Sequence, residues 1–277
     1  MKRQLSTGFP LTLFVLISFI CSYLPAEASD QLKDEIIQKI IERATENERE
    51  MDNFGYDVNM KVRWVRKDGS TKKTEIRDYQ TTWVEETPRL ELCKINAKPL
   101  DHNQREEQLQ RRKEWQKALQ NGERTNDSHR IPFTWTEMMQ KYDFTIDHND
   151  HSSPYVLNFH HKNVDLPARN RLEKVLNSLD GKMWIDDEFR IVKLHGTLND
   201  GVSFGLGLAK VTSLSFEFIQ KPYQGLVIPV SLKMNFNVKA MLVYSDQREV
   251  TSTFSNYHFN PEHEHTMQVK LGSPASK

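Results

Sequence analysis

The stretch GKMWIDDEFRIVKLHGTLNDG, residues Gly181–Gly201, decides how the chain is read. Met183 and Ile185 alternate with Lys182, Trp184 and Asp186, and Ile191, Lys193 and His195 alternate with Val192 and Leu194. Period-two alternation on either side of Asp186-Asp187-Glu188 describes two strands joined by an acidic turn. Three consecutive acids between strands are turn formers, not a paired carboxylate that could share a substrate.

The same alternation extends outward from this hairpin. Tyr56, Val58, Met60, Val62 and Trp64 form one face of a strand, and Asp68-Gly69 signals a hairpin whose partner is Thr71 to Trp83. Arg89 to Asn96 follows as a third strand, with Leu90, Leu92 and Lys94 expected on one side and Glu91, Cys93 and Ile95 on the other. Further strands are expected at Asp143–Asp147, Tyr155–His160, Lys182–Asp186, Arg190–Leu198, Val211–Gln220, Val230–Asn237, Lys239–Ser245 and Arg248–Phe259. No helical segments separate the later strands, so the sheet is expected to be antiparallel.

Helices are expected mainly before and between these strands. Leu32, Ile36, Ile37, Ile40, Ile41 and Ala44 fall on one face at the helical period, which predicts a helix from Gln31 to about Met51 packed on the sheet. Asp101 to Asn121 has high helix propensity without a continuous apolar stripe, and reads as a charged, solvated helical insertion. Its Arg111-Arg112-Lys113 run is offset by Glu106, Glu107 and Glu114. A shorter helix is expected at Pro132–Tyr142, and Arg169–Leu179 reads as a short amphipathic helix or a strand feeding the next turn, its apolar spacing favouring the helix.

The amino terminus carries an export signal. Met1-Lys2-Arg3 precedes the apolar run Leu11–Ile20, and Ala26-Glu27-Ala28 has the small-x-small pattern of a signal-peptidase site. Residues 1–28 are expected to be a signal peptide and residues 29–277 a single domain, located in the periplasm if the source is a diderm bacterium. No later stretch reaches transmembrane length, so the mature chain is not expected to span a membrane. Lys plus Arg and Asp plus Glu are equal at 38 each, which gives no whole-chain footprint for nucleic acid. Cys21 and Cys93 are the two cysteines, and cleavage leaves Cys93 without an intramolecular partner.

Catalytic and metal signatures are weak throughout. Ten histidines include His148, His151, His258, His263 and His265, yet none forms HExxH. Gly201–Gly207 lacks the Lys-Ser/Thr pair and following helix of a phosphate loop. Asn126-Asp127-Ser128 matches a glycosylation sequon. No catalytic residue, metal ligand or cofactor is expected, and the chain is read as a non-enzyme. A twisted antiparallel sheet lidded by helices would curve around an apolar cavity, with Trp64, Trp83, Trp184, Phe216, Phe218 and Phe236 as candidate lining.

The Gly181–Leu198 hairpin resembles the strand–turn–strand of the outer-membrane lipoprotein-sorting proteins and their LolA/LolB-like relatives. Leu90-Glu91-Leu92-Cys93-Lys94-Ile95-Asn96-Ala97-Lys98-Pro99-Leu100 is similar to a strand and N-G-K-P-L turn in a periplasmic subgroup, with Ala97 at the usual glycine. Phe204–Leu208 and Gln220–Pro229 also resemble that subgroup. The resemblance implies an α+β fold: a strongly curved antiparallel sheet, an incomplete barrel of about ten to eleven strands, with an N-terminal helix and covering helices. It implies a periplasmic carrier or binding protein for a lipid, a lipoprotein acyl chain or another apolar ligand. The alternative expectation is a structural or protein-interaction module of the cell envelope without small-molecule cargo, working through an envelope protein partner.

Overall fold

The computed structural model describes residues 26–84, 87–121, 141–162, 171–198, 200–204, 209–240 and 244–260. The expected signal segment up to residue 25, the sequon, the Pro132 helix up to residue 140, Gly205, Gly207, His263 and His265 lie outside them.

Helix α1 (Ala26–Met51) leads into β1 (Phe54–Val65), β2 (Thr71–Val84), β3 (Thr87–Ile95) and β4 (Lys98–Pro99). Helix α2 (His102–Gln120) precedes β5 (Tyr142–Ile146) and β6 (Tyr155–His161). After the short helix α3 (Arg171–Leu176) come β7 (Leu179–Ile185), β8 (Ile191–Leu198), β9 (Val202–Phe204), β10 (Ala209–Tyr223), β11 (Leu226–Ala240) and β12 (Tyr244–Phe259). The expected strands at Val230–Asn237 and Lys239–Ser245 are corrected: residues 226–240 form the single strand β11, and Tyr244 already belongs to β12. No Gly or Pro interrupts the chain between them, so the alternation simply continues.

All twelve strands join one antiparallel sheet in the order β4-β3-β2-β1-β12-β11-β10-β8-β7-β6-β5, with β9 beside β10. Pairing of β1 with β12 joins the first and last hairpins in mid-sheet. The ends of this path, β4 and β5, do not pair with each other, and the sheet is flat and open. The strongly curved incomplete barrel of about ten to eleven strands is therefore overturned. One physical reason lies in the opening hairpin. Gly181 and Gly196 sit directly opposite each other, where glycines would let a sheet kink. The rings of Phe159 and Phe216 close that gap, with ring atoms 2.5 and 2.4 Å from where the two glycine Cβ atoms would be.

Directly opposed residues of antiparallel strands point to the same side, so the register defines two faces. One row runs Glu75, Val62, Val250, Met234, Phe216, Gly196, Gly181, Phe159 and Phe144 from β2 to β5. The next runs Arg77, Met60, Ser252, Leu232, Phe218, Leu194, Met183, Leu157 and Ile146. One face is thus apolar across almost the whole sheet. The other carries Lys61, Thr251, Lys233, Glu217, His195, Lys182 and Asn158.

Helix α1 lays its stripe on the apolar face. Ile36 and Ile40 are buried against Tyr142, Phe144, Leu157, Phe159, Met183, Ile185, Ile191 and Leu194, a core on β5 to β8. Burial of each such side chain is worth about 1.5–3 kcal/mol. The helix begins before Gln31 but ends as expected at Met51. Near that end, Asn47 accepts from the N–H of Val227 at 2.7 Å and donates to its carbonyl at 3.0 Å. A smaller cluster of Val175, Leu179, Leu198 and Val202 packs under α3.

The turns show which residues the backbone demanded. Arg66 N–H bonds to Ser70 O and Gly69 N–H to Arg66 O, with Gly69 at φ +83°. Asp186 to Arg190 repeats that hydrogen-bond pattern, but Phe189 occupies the left-handed position at φ +62°. Its ring stacks on Tyr155 at 5.3 Å under the Lys39 ammonium, which offsets the backbone strain. The Asp186 carboxylate accepts from the N–H groups of Glu188 and Arg190 and from the Arg190 side chain. The acidic run is a turn held by its first member.

In β3 the expected facing is corrected. A bulge between the Asp78 and Tyr79 positions places Leu92 opposite Tyr79 and Ile95 opposite Arg77, so Ile95 shares the side of Leu90 and Leu92. Asn96 and Ala97 then form a tight turn with φ of 50° and 61°. Left-handed backbone strains alanine and not glycine. Ala97→Gly is expected to stabilise the protein by about 0.5–1 kcal/mol, read as a raised urea midpoint at unchanged slope.

Helix α2 is exposed over most of its length, but it is fastened to β3 by two contacts. Arg112 grips the Glu91 carboxylate with two nitrogens at 2.6 and 2.5 Å, and Arg89 lies over the buried Trp115 ring at 5.6 Å.

Candidate functional site

Neither core cluster reaches past Leu214, Phe216 and Phe218 of β10. Beyond them, on β11, β12 and β1, the apolar face continues as Leu232, Met234 and Phe236, then Val250 and Phe254, then Met60 and Trp64. All seven are half-buried, whereas Leu157, Met183 and Ile185 on the helix-covered side are fully buried. Val58 and Val62, on the same side of β1, are buried. Helix α1 meets β11 at Asn47, which bonds to Val227, but neither core cluster includes a residue of β11, β12 or β1.

From Val58 to Trp64 the surface runs about 20 Å along the strands, and from β10 to β1 about 15 Å across them. Its size, on the order of 300 Å², is that of the largest apolar patch on a typical monomer, which is often functional. It is well under the roughly 800 Å² that each partner gives to a stable protein interface.

The two ends of the surface differ. At one, Trp64 has the Lys73 ammonium at 4.8 Å and the Arg248 guanidinium at 5.3 Å, and Arg248 also lies 5.9 Å from the Phe236 ring. These cations are held by acids: Lys73 and Arg77 each bond to Glu75 at 2.6 Å, and Arg248 pairs with Asp246. The hydrogen bond from Lys73 keeps the Glu75 carboxyl below its ordinary value against the opposing effect of burial. At the other end lies a chain of rings, Phe218–Phe254–Tyr56–Tyr257–Tyr223, with centroids 5.6–6.4 Å apart. Tyr257 donates to the Pro229 carbonyl, and burial pushes its phenol above the ordinary value.

The candidate lining residues are divided by this geometry. Trp64 and Phe236 lie on the uncovered surface, Phe216 and Phe218 at its border with the helix-covered core. Trp83, half-buried opposite Pro88, takes the side of Tyr79 by alternation along β2. Trp184 points to the opposite, polar face, since its neighbours Met183 and Ile185 belong to the core. Its indole N–H donates to Ser152 at 3.0 Å, and Lys193 and Lys182 flank the ring at 4.7 and 5.8 Å.

Met60, Leu232, Met234, Val250 and Phe254 were absent from the aromatic candidates. Their signal is nevertheless plain: Leu232-Lys233-Met234-Asn235-Phe236-Asn237 and Val250-Thr251-Ser252-Thr253-Phe254 alternate as strictly as any strand in the chain. Ser252 is the one polar member of its row between Met60 and Leu232, buried with its hydroxyl unpartnered.

On the polar face, Lys182 bridges Asp147 at 2.8 Å and Asp150 at 3.3 Å. Hydrogen bonds from the Ser152 side chain and N–H hold the Asp150 carboxyl down to about 2. An ammonium already occupies the space between these carboxylates, so the pair is a strut for the loop. Among the described residues, no group of three His, Cys, Asp or Glu side chains is placed to hold a metal ion. Nor is any described helix long and apolar enough to cross a membrane.

No family model and no curated protein matches the chain. With the sheet open and flat, the resemblance to the lipoprotein-sorting family is overturned, and with it the half barrel.

Proposed function

We propose that the chain is an exported, non-enzymatic binding protein that seats a lipid or other apolar ligand on the half of its apolar face that lies beyond the core under α1. The observation that carries this reading is the asymmetry of cover: two apolar rows cross the sheet, while the core that holds Ile36 and Ile40 of α1 lies on β5 to β8 and ends at Phe216 and Phe218 of β10. Exposing Leu232, Met234, Phe236, Met60 and Trp64 costs hydrophobic free energy at about 25 cal/mol per Å² of apolar area. A ligand that removes this area from water recovers that energy. The surface is too small for a stable protein partner and long enough for an extended apolar chain lying along the strands. Trp64 with Lys73 and Arg248 supplies an amphipathic rim of the kind that meets a polar headgroup. The N-terminal basic and apolar run supports export.

Palmitate is a suitable probe, with binding read by native mass spectrometry of the purified chain and by titration of tryptophan fluorescence. A one-to-one adduct is expected. Met234→Asp, which places a carboxylate in mid-surface, is expected to weaken binding at least about tenfold while leaving the thermal transition nearly unchanged. Equal binding by Met234→Asp and the parent chain would remove the surface from consideration.

A further inference from the structure

The open sheet has two edges, and they are treated differently. An unpaired edge exposes a row of N–H and C=O groups that can template another strand. At one end, β3 is bulged near Cys93, carries Pro88, and is covered over its last residues by β4, which is only Lys98–Pro99. Helix α2 is clamped against β3 through Glu91 and Arg89. Proline, lysine, a bulge and a covering helix are all devices that blunt an edge.

At the other end, β5 reads Tyr142-Asp143-Phe144-Thr145-Ile146, with no proline, lysine or bulge, and no described strand pairs with its outer side. Asp147 N–H bonds to Val156 O, and Lys162 N–H to Lys141 O. The odd-numbered residues of β5 therefore turn their backbone groups toward β6, and Tyr142, Phe144 and Ile146 turn theirs outward. Tyr142 and Phe144 have their side chains buried in the core, while those of Asp143 and Thr145 are exposed.

We propose that this edge pairs with the β5 edge of a second copy of the chain, antiparallel and about a two-fold axis through Phe144, so that the two sheets become one. The register follows from charge. Only alignments that bring outward-facing groups together are allowed, and three of them overlap the strand well. An axis through Asp143 would oppose the two Asp143 carboxylates. An axis through Thr145 would oppose Asp143 to Asp147 twice. The axis through Phe144 opposes Asp143 to Thr145, Tyr142 to Ile146 and Lys141 to Asp147, with no like charges face to face. It also gives three hydrogen-bonded pairs, the most that five residues can form. The edge lies four strands from β10 and the ligand surface, so the two proposals stand or fall separately.

Sedimentation velocity on the full chain over a wide concentration range provides the test. A concentration-dependent dimer is expected. Thr145→Asp sets Asp143 against a carboxylate twice per dimer and should weaken association by about two- to thirty-fold. Thr145→Lys sets it against an ammonium and should tighten association. The charge-swapped pair Asp143→Lys with Thr145→Asp should restore dimerisation lost in Thr145→Asp alone. Positions 143 and 145 are exposed, so all three variants are expected to fold, with circular dichroism as the check. A chain monomeric at every concentration overturns the proposal, as does a dimer that responds alike to both signs of charge at position 145.

Discussion

Gly181→Val is expected to leave little or no folded protein. A Cβ at this position would lie 2.0 Å from the His195 carbonyl oxygen, 2.5 Å from the Phe159 ring and 2.9 Å from the Gly196 Cα. Two of these atoms are backbone in the paired strand, so relief requires the β7–β8 ladder itself to separate. That ladder carries Met183, Ile185, Ile191 and Leu194, four members of the main core. Overpacking alone costs about 1–3 kcal/mol, and loss of the neighbouring pairs adds to it. The sum is large against a total stability of about 5–15 kcal/mol. Gly69→Ala is the matching control: Gly69 has open space around it and only its φ of +83° to strain, so about 1 kcal/mol is expected there. Soluble yield and circular-dichroism melting of the two variants measure the contrast.

Lys141→Met is expected to cost about 3–5 kcal/mol in urea denaturation. Lys141 pairs with Glu173, whose side chain is 2% exposed. Removing the ammonium takes a counter-charge away from a buried carboxylate, which is costlier than removing both charges together. Lys141→Met combined with Glu173→Leu should therefore recover most of the loss. A double-mutant cycle reads the coupling directly. Near-additive losses would show that the pair contributes little and that Glu173 is held by other means.

Much of this fold is legible in the sequence because its strands have unlike faces. Lys233 and Asn235 alternating with Leu232, Met234 and Phe236 place β11 as surely as any coordinates, and the α1 stripe from Ile36 to Ala44 announces a helix on a sheet. Long-range shape is another matter. Alternation specifies which side is apolar but carries no information on whether the edges meet, because closure depends on the pairing of β4 and β5 across nine intervening strands in the sheet order. Gly181 and Gly196 stand where a sheet could bend, yet Phe159, twenty-two residues before Gly181, and Phe216 fill the space above them. Those contacts are non-local, and no local window contains them.

Facing was misread for similar reasons. The bulge at Cys93 moves Ile95 to the other side of β3, and a single inserted residue leaves no mark on composition. Trp184 looked like cavity lining because it is large and aromatic. Its parity with Lys182, opposite to Met183 and Ile185, already assigned it to the polar face. Met60 and Met234, which are not aromatic, lie on the uncovered surface by the same alternation.

Oxidative footprinting of three methionines tests most directly whether half of the apolar face is open and takes an apolar ligand. Met60 and Met234 are half-buried on the uncovered half, and Met183 is fully buried on the same face beneath α1. Met60 and Met234 are expected to oxidise readily in the free chain and become protected when palmitate is added, with Met183 unreactive throughout. Met60 and Met234 as inert as Met183 without ligand, or oxidised equally with and without it, would contradict the proposed seat.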